Sequence, residues 1–280
     1  IRQFQHEVGR ENAILIHVTL IPYLNASQEL KTKPTQASVK DLQGMGLQPD
    51  IIVCRSEHPL GQDIKDKIAL FCNVPSNRVL QNLDVQYLYE APLEMEKEQL
   101  AQVACECLHL NCPEPDLTEW EKMVDDLKTP TGEVTIALVG KYVALHDAYI
   151  SVVEALKHGG ISNHCTVNIK WIDSETVTMQ NVDELLGDVD GILVPGGFGS
   201  RGIDGKIFTI NYARTHKKPF LGLCLGMQLT IVEFARNVLG YHDAHSIELN
   251  PSTTHPVIAL MPDQNGVEDI GGTLRLGSYP

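Results

Sequence analysis

The densest chemical signal in the sequence is Phe220-Leu221-Gly222-Leu223-Cys224-Leu225-Gly226-Met227-Gln228. An apolar stretch runs into Gly-x-Cys-x-Gly and a helical pattern leaves it. That is the signature of a nucleophile on a sharp strand-to-helix turn, with glycines where side chains do not fit. At a helix start the dipole and the free N–H groups favour thiolate over thiol, which makes Cys224 the candidate nucleophile. The competing reading is a buried cysteine that only packs in a Gly-rich turn. A second loop, Val194-Pro195-Gly196-Gly197-Phe198-Gly199, follows another apolar strand one βα unit earlier. Its backbone N–H groups can serve an oxyanion or a substrate carboxylate. A cysteine nucleophile also needs a base to take and return a proton. The histidines downstream are His242, His245 and His255, and Val257 stands where an acid after His255-Pro256 would orient the imidazole. All three read as solvated or structural, so the site lacks its base.

The elements that must hold these residues alternate between strand and helix. Val134 to Val139 reads as a strand ending at Gly140. Ala148 to His158 reads as a helix with Tyr149, Val152, Val153 and Leu156 on one face. Strands follow at Val167 to Ile172, Gly191 to Val194 and Pro219 to Leu223, and a helix at Gly226 to Asn237. This is a doubly wound βαβ domain with ligand-binding loops at its strand C-termini. The first half carries strands at Ala13 to Leu20 and Ile51 to Cys54, with helices at Ser38 to Gln43 and Asp63 to Cys72. Short apolar strands separated by helices again predict a buried parallel sheet. A helix from about Glu94 to Leu110, then a joint rich in proline, reads as the inter-domain connection.

A length of 280 residues favours two domains over one. The composition excludes a disordered chain, a collagen-like repeat and a small disulfide scaffold. No apolar run reaches the ~20 residues of a membrane helix. The net charge of −14 argues against a general binder of nucleic acid or membrane surface. Glu90 to Asp126 holds eleven acids against two lysines, and so nine of those fourteen excess charges. The acidity therefore belongs to a connecting region and leaves room for a phosphate site elsewhere. The seven cysteines are odd in number and scattered, which favours a reducing compartment. Cys105 and Cys107 read as two positions of an acidic helix rather than as metal ligands. Ile1 begins inside an amphipathic pattern and Leu274 to Pro280 end in a turn, so the chain reads as a piece of a longer polypeptide.

Several segments together carry a resemblance. They are Lys31-Thr32-Lys33-Pro34-Thr35-Gln36, Ala69-Leu70-Phe71-Cys72, Val139-Gly140-Lys141-Tyr142, Glu154-Ala155-Leu156-Lys157-His158, Val194 to Gly199 with Arg201-Gly202, Leu221 to Gln228, and Gly271-Gly272-Thr273-Leu274-Arg275-Leu276-Gly277. The elbow is shared by many amidotransferases, whereas the first and last runs are much more specific. The chain resembles the CTP synthases, two-domain ligases with a class I glutamine amidotransferase domain. Ala244-His245-Ser246-Ile247-Glu248-Leu249 departs from the family's usual Ala-Asn-Ser-Thr-Glu-Phe.

The resemblance implies two doubly wound parallel-sheet α/β domains, both partial: a P-loop-type amidoligase domain over 1–115 and a flavodoxin-like amidotransferase domain over 133–280. Residues 116–132 would link them. It implies ATP-dependent amination of UTP to CTP, with ammonia from glutamine hydrolysed at Cys224. Gly197, Leu225, Gly226, Met227, Gln228 and Glu248 would hold glutamine. Lys31, Thr32, Lys33, Pro34, Thr35, Gln36 and Lys67 would contact UTP, or CTP as feedback inhibitor. Leu83, Asp84 and Val85 would line the ATP adenine. The family further implies Mg2+ bound by acids before Ile1, a P-loop also before it, and a triad His and Glu after Pro280. It implies GTP as allosteric activator, a homotetramer and a cytoplasmic location, with neither nucleic acid nor membrane as partner. Compact lysines suit a triphosphate, and Pro34 suits the first turn of a helix whose N-terminus favours anions. Two other functions compete: a non-catalytic UTP/CTP-binding or subunit-associating paralogue, and a stand-alone cysteine glutaminase.

Overall fold

A computed structural model describes residues 1–259. The Gly271 to Gly277 run and the final turn therefore lie outside the described residues. The chain forms two compact units, Ile1–Asp125 and Asp126–Pro280.

In the first unit, α1 (Arg2–Val8) precedes β1 (Ile16–Leu20), the hairpin β2 (Tyr23–Leu24) and β3 (Glu29–Leu30), and α2 (Lys33–Gly44). Then come β4 (Ile51–Ser56), α3 (Gln62–Cys72), β5 (Val79–Leu83), α4 (Ala91–Lys97), α5 (Leu100–Cys107) and α6 (Thr118–Lys128), which crosses the unit boundary. Strands β1, β4 and β5 form a parallel sheet in that order, with Ile16 opposite Ile51 and Ile52 opposite Val79. Successive side chains of β4 point to opposite faces. Ile52 and Cys54 pack with Val39, Ile68 and Cys72 of α2 and α3. Ile51 and Val53 pack with Met95, Leu100 and Val103 of α4 and α5. Burial on both faces is why the strand reads as an unbroken apolar run.

The helix expected from Glu94 to Leu110 is two helices. Gln99 sits in the left-handed region at φ 59° and breaks it. The preceding Glu98 accepts hydrogen bonds from Lys65 Nζ at 2.7 Å and Gln81 N at 3.0 Å. Those tertiary bonds hold Glu98 to the sheet. The proposed linker stretch contains α6 and the start of the next strand.

The second unit runs β6 (Gly132–Gly140), α7 (Ile150–Ser162), β7 (Cys165–Asp173), α8 (Val182–Leu186), β8 (Gly191–Val194), α9 (Ile203–Thr215), β9 (Phe220–Gly222) and α10 (Leu225–Asn237). The short parallel pair β10 (His245–Ser246) and β11 (Pro256–Ile258) follows. Four parallel strands lie in the order β7-β6-β8-β9. The strand order thus reverses between β6 and β8, the switch point at which open α/β sheets bind ligands. Ala137, Val139, Ile192 and Val194 pack on one face with Ile207 and Ile210 of α9 and Leu229 and Val232 of α10. Leu138 and Leu193 pack on the other with Tyr149, Val152, Val153 and Leu156, the stripe expected from the sequence. Helix α9 is covered on several sides, with Ile203, Lys206, Ile207, Thr209, Ile210 and Tyr212 all buried. A helix without an exposed stripe shows little periodicity, and no sequence pattern announced it.

Candidate active site

Cys224 stands between β9 and α10 with φ 51° and ψ −107°, a conformation an L residue holds only under constraint. The constraint is visible in the backbone. Leu223 N donates to Val194 O at 2.9 Å, Gly226 N to Leu223 O at 2.9 Å, and Gln228 N to Cys224 O at 3.1 Å. A Cβ at Gly222 would lie 2.8 Å from Met227 N, and one at Gly226 would lie 2.1 Å from Val194 O. Both glycines are therefore required by close backbone approach. The turn leaves the Cys224 side chain exposed.

The second Gly-rich loop lies beside it. A Cβ at Gly196 would be 3.8 Å from Cys224 Sγ, and Gly197 has φ 153°. Two lysines hold this loop from behind: Lys206 Nζ donates to Pro195 O at 3.4 Å, and Lys141 Nζ to Phe198 O. Lys206 is fully buried. Burial lowers its pKa to about 8, Lys141 adds to the fall, and Cys224 opposes it. Arg201 pairs with Glu175 at 3.0 Å and lies over the Tyr142 ring at 5.8 Å. Phe198 and Met227 are exposed apolar side chains of the loop and of the first turn of α10. Lys206 was not singled out in the sequence, because one lysine in an unrecognised helix carries no signal until the loop is placed against it.

Of the residues expected to bind glutamine, Leu225 and Gly226 follow Cys224 directly and Gly197 follows Gly196, which meets Cys224; Met227 is exposed and Gln228 half-buried. Glu248 follows β10. Its N–H donates to Ser246 Oγ at 3.3 Å and its side chain is exposed. His245, which replaces the family's usual Asn, accepts from Ser246 N at 2.9 Å through Nδ1. Its pKa is lowered first by burial and then by Arg236. Ile247 N pairs with Ile258 O at 3.0 Å. The departures at 245 and 247 are thus absorbed into the β10–β11 pair. His255 does have an orienting acid, but from upstream: Asp243 Oδ1 lies 2.5 Å from its Nδ1, and Tyr241 stacks on the ring at 4.6 Å. Asp243 also accepts from Thr254 N and Oγ1, which drive its carboxyl far below the usual range. The pair ties a turn together, a structural role for His255.

In the first unit, α2 begins at Lys33 with Pro34 in its first turn. Thr35 is fully buried, and its hydroxyl bonds to Thr19 Oγ1 at 3.0 Å and Leu20 O at 3.2 Å. It anchors α2 to β1 rather than facing solvent. Gln36 Nε2 donates to Thr32 Oγ1 at 3.1 Å. Lys31 pairs with Glu29, whose carboxyl is held below its ordinary range first by Lys31, then by Ser27, with Lys67 adding to the field. Lys31 and Lys67 therefore share one neighbourhood, while Lys33 is exposed at the helix start. Leu83, Asp84 and Val85 lie at the C-terminal end of β5, where parallel sheets present ligands. Asp84 there pairs with Arg55 at 2.9 Å. Among the described residues no group of three or more His, Cys, Asp or Glu side chains can hold a metal ion. No helix among them is long and apolar enough to cross a membrane.

The comparisons agree with both units. The family model for the CTP synthase N-terminus matches residues 1–110, and that for class-I glutamine amidotransferases matches residues 144–280. The CTP synthases of Clostridium perfringens (strain SM101) and Clostridium beijerinckii are 61% and 60% identical over 280 residues, covering 100% of this chain and 52% of each relative. That of Halalkalibacterium halodurans is 56% identical, over 100% of this chain and 53% of its own. The chain spans about half the length of the curated relatives it matches. A solved structure of the Trypanosoma brucei CTPS glutaminase domain with bound acivicin is 42% identical, with a TM-score of 0.44, over 46% of this chain and 51% of that one. With a synthase N-terminal match in one half and an amidotransferase match around the strained cysteine in the other, the chain belongs to the CTP synthase family.

Proposed function

We propose that this chain is the part of a CTP synthase that joins UTP recognition to ammonia production. The observation that carries the reading is the Cys224 turn: an exposed sulfur held at positive φ beside the Pro195–Gly199 loop. The Cys224 thiolate attacks the carboxamide carbon of glutamine, and the loop's N–H groups receive the oxyanion. The C–N bond breaks and ammonia leaves with a proton from the triad base. Water then cleaves the thioester to release glutamate. Gly197, the 225–228 turn and Glu248 hold the glutamine, with Glu248 facing its α-ammonium.

Ammonia made by the amidotransferase domain, 133–280, then serves the ligase domain, 1–115, with residues 116–132 as the linker in the chain between them. ATP phosphorylates O4 of the uracil ring, and ammonia displaces that phosphate. Lys31 to Gln36 and Lys67 serve UTP, or CTP as inhibitor. Thr35 does so indirectly, by fixing the start of α2. Leu83 to Val85 serve the adenine of ATP. Mg2+ and GTP complete the set, in a homotetramer of the cytoplasm. The test is Cys224→Ala in the protein. Glutamine-dependent CTP formation should be lost while the reaction with added ammonia continues at its usual rate. A folded variant that loses both activities, or keeps the glutamine-dependent one, defeats the reading.

A further inference from the structure

Lys206 is the most fully enclosed charged side chain near the nucleophile, and amide hydrolysis by a cysteine does not require it as acid, base or nucleophile. Its surroundings give it a definite place. It lies under the Pro195–Gly199 loop with 0% exposure, Nζ 3.4 Å from Pro195 O, and 3.9 Å from where a Cβ of Gly197 would stand. The charged groups facing it are Lys141 and Cys224. In a trans peptide the C=O and the following N–H point in opposite directions. Holding Pro195 O down on Lys206 therefore turns the Gly196 N–H away from it, and Gly196 is the residue that abuts Cys224. Lys141 does the same at the other end of the loop through Phe198 O. An apolar side chain of equal length would fill the cavity equally well, without the cost of burying an ammonium.

We propose that Lys206 is a positioning residue for the glutamine half-reaction: it clamps the Pro195 carbonyl so that the Gly196 N–H is presented to the oxyanion, and it places a positive charge behind the Cys224 sulfur. The proposal rests on the reading of Cys224 as the nucleophile. While protonated, the Lys206 ammonium attracts the negative charge that the Cys224 sulfur carries as a nucleophile. Burial brings its pKa to about 8, so the support is full below that pH and fades above it.

The test measures the alkylation rate of Cys224 by iodoacetamide across pH, followed by peptide mass mapping to separate it from the other cysteines. It compares the protein with Lys206→Met and Lys206→Gln, with thermal melting as the folding control. Both variants should alkylate about three- to tenfold more slowly near pH 7. The difference should narrow above pH 8. Glutamine hydrolysis should show a fall in kcat larger than any rise in KM. Gln should keep more of kcat than Met, because it can still donate to Pro195 O. Variants that melt as the parent does and leave the alkylation profile unmoved overturn the proposal; if Met does not fold, Gln alone decides it. This profile reads the thiol itself, so its outcome is separable from that of Cys224→Ala.

Discussion

Gly226→Ala tests the elbow at its tightest point. In a helix the exchange ordinarily gains about 1 kcal/mol, because alanine loses less chain entropy than glycine. Here the added methyl would lie 2.1 Å from Val194 O and 3.2 Å from Val194 Cγ1. The carbonyl belongs to β8, which pairs with both β6 and β9 and cannot rotate away. The first turn of α10 must instead retreat by about 1 Å, and overpacking of this kind costs about 1–3 kcal/mol. A backbone contact this short belongs at the upper end, so the net loss is about 2 kcal/mol. For a unit of this size each kcal/mol lowers Tm by about 2–4 °C, which predicts a fall of about 4–8 °C in the melting of the amidotransferase unit. Gly159→Ala is the control: it lies in α7, nothing stands within 4 Å of its added Cβ, and it should raise stability by a few tenths to about 1 kcal/mol. Differential scanning calorimetry reads both. Glutamine hydrolysis by Gly226→Ala, measured well below its melting point, should also fall, because the retreat carries Cys224 away from Gly196. If Gly226→Ala melts at or above the parent, β8 and α10 do not approach as described and the elbow argument fails.

Two further outcomes follow from buried polar groups. Glu233 is 1% exposed and bonded to Arg214, Asn211 and Asn237. Burial pushes its carboxyl upward, but these partners prevail and its pKa lies below the ordinary value. Its contribution is therefore present above the ordinary carboxylate range and lost as pH falls through the folded value. Glu233→Gln should cost about 1–3 kcal/mol near neutrality. The gap in Tm should close as pH falls below the ordinary carboxylate range; a gap that persists in strong acid contradicts the ion pair. In the first unit, Thr35→Val keeps the volume but removes the bonds to Thr19 and Leu20. It should destabilise that unit by about 1–2 kcal/mol, with UTP binding weakened only through the displaced start of α2. Isothermal titration with UTP alongside a melting curve separates this from a direct contact, which would weaken binding without a stability loss.

The nucleophile turn was legible because close backbone packing dictates residue type, and Gly222 and Gly226 record that packing in the sequence. Strand β8 was placed to the residue for a similar reason: an apolar run bounded by Gly191 and Pro195 has no alternative limits. Helix α9 left no trace because burial on several sides erases periodicity, and Lys206 vanished with it. The break at Gln99 was invisible because its cause, Lys65 and Gln81 holding Glu98, lies 33 and 17 residues away. The pairing of His255 with Asp243 is hidden in the sequence because the acid stands twelve residues upstream and meets the ring only when the turn folds back. What the sequence conceals is long-range pairing. What it reveals is local steric necessity.

The positive φ at Cys224 has a consequence for how the protein comes into being. The support that ties it to the sheet is non-local: Leu223 N reaches Val194 O, and β9 joins the sheet only through β8 among the described residues. Such long-range parallel pairings form late and slowly. Until β9 docks, nothing over-determines the strained turn, and residue 224 relaxes to an ordinary extended or helical conformation. A nascent or partly folded chain therefore carries an unremarkable thiol with no loop beside it. The strained turn that presents Cys224 therefore arises together with the docking of β9 on β8, and not before it.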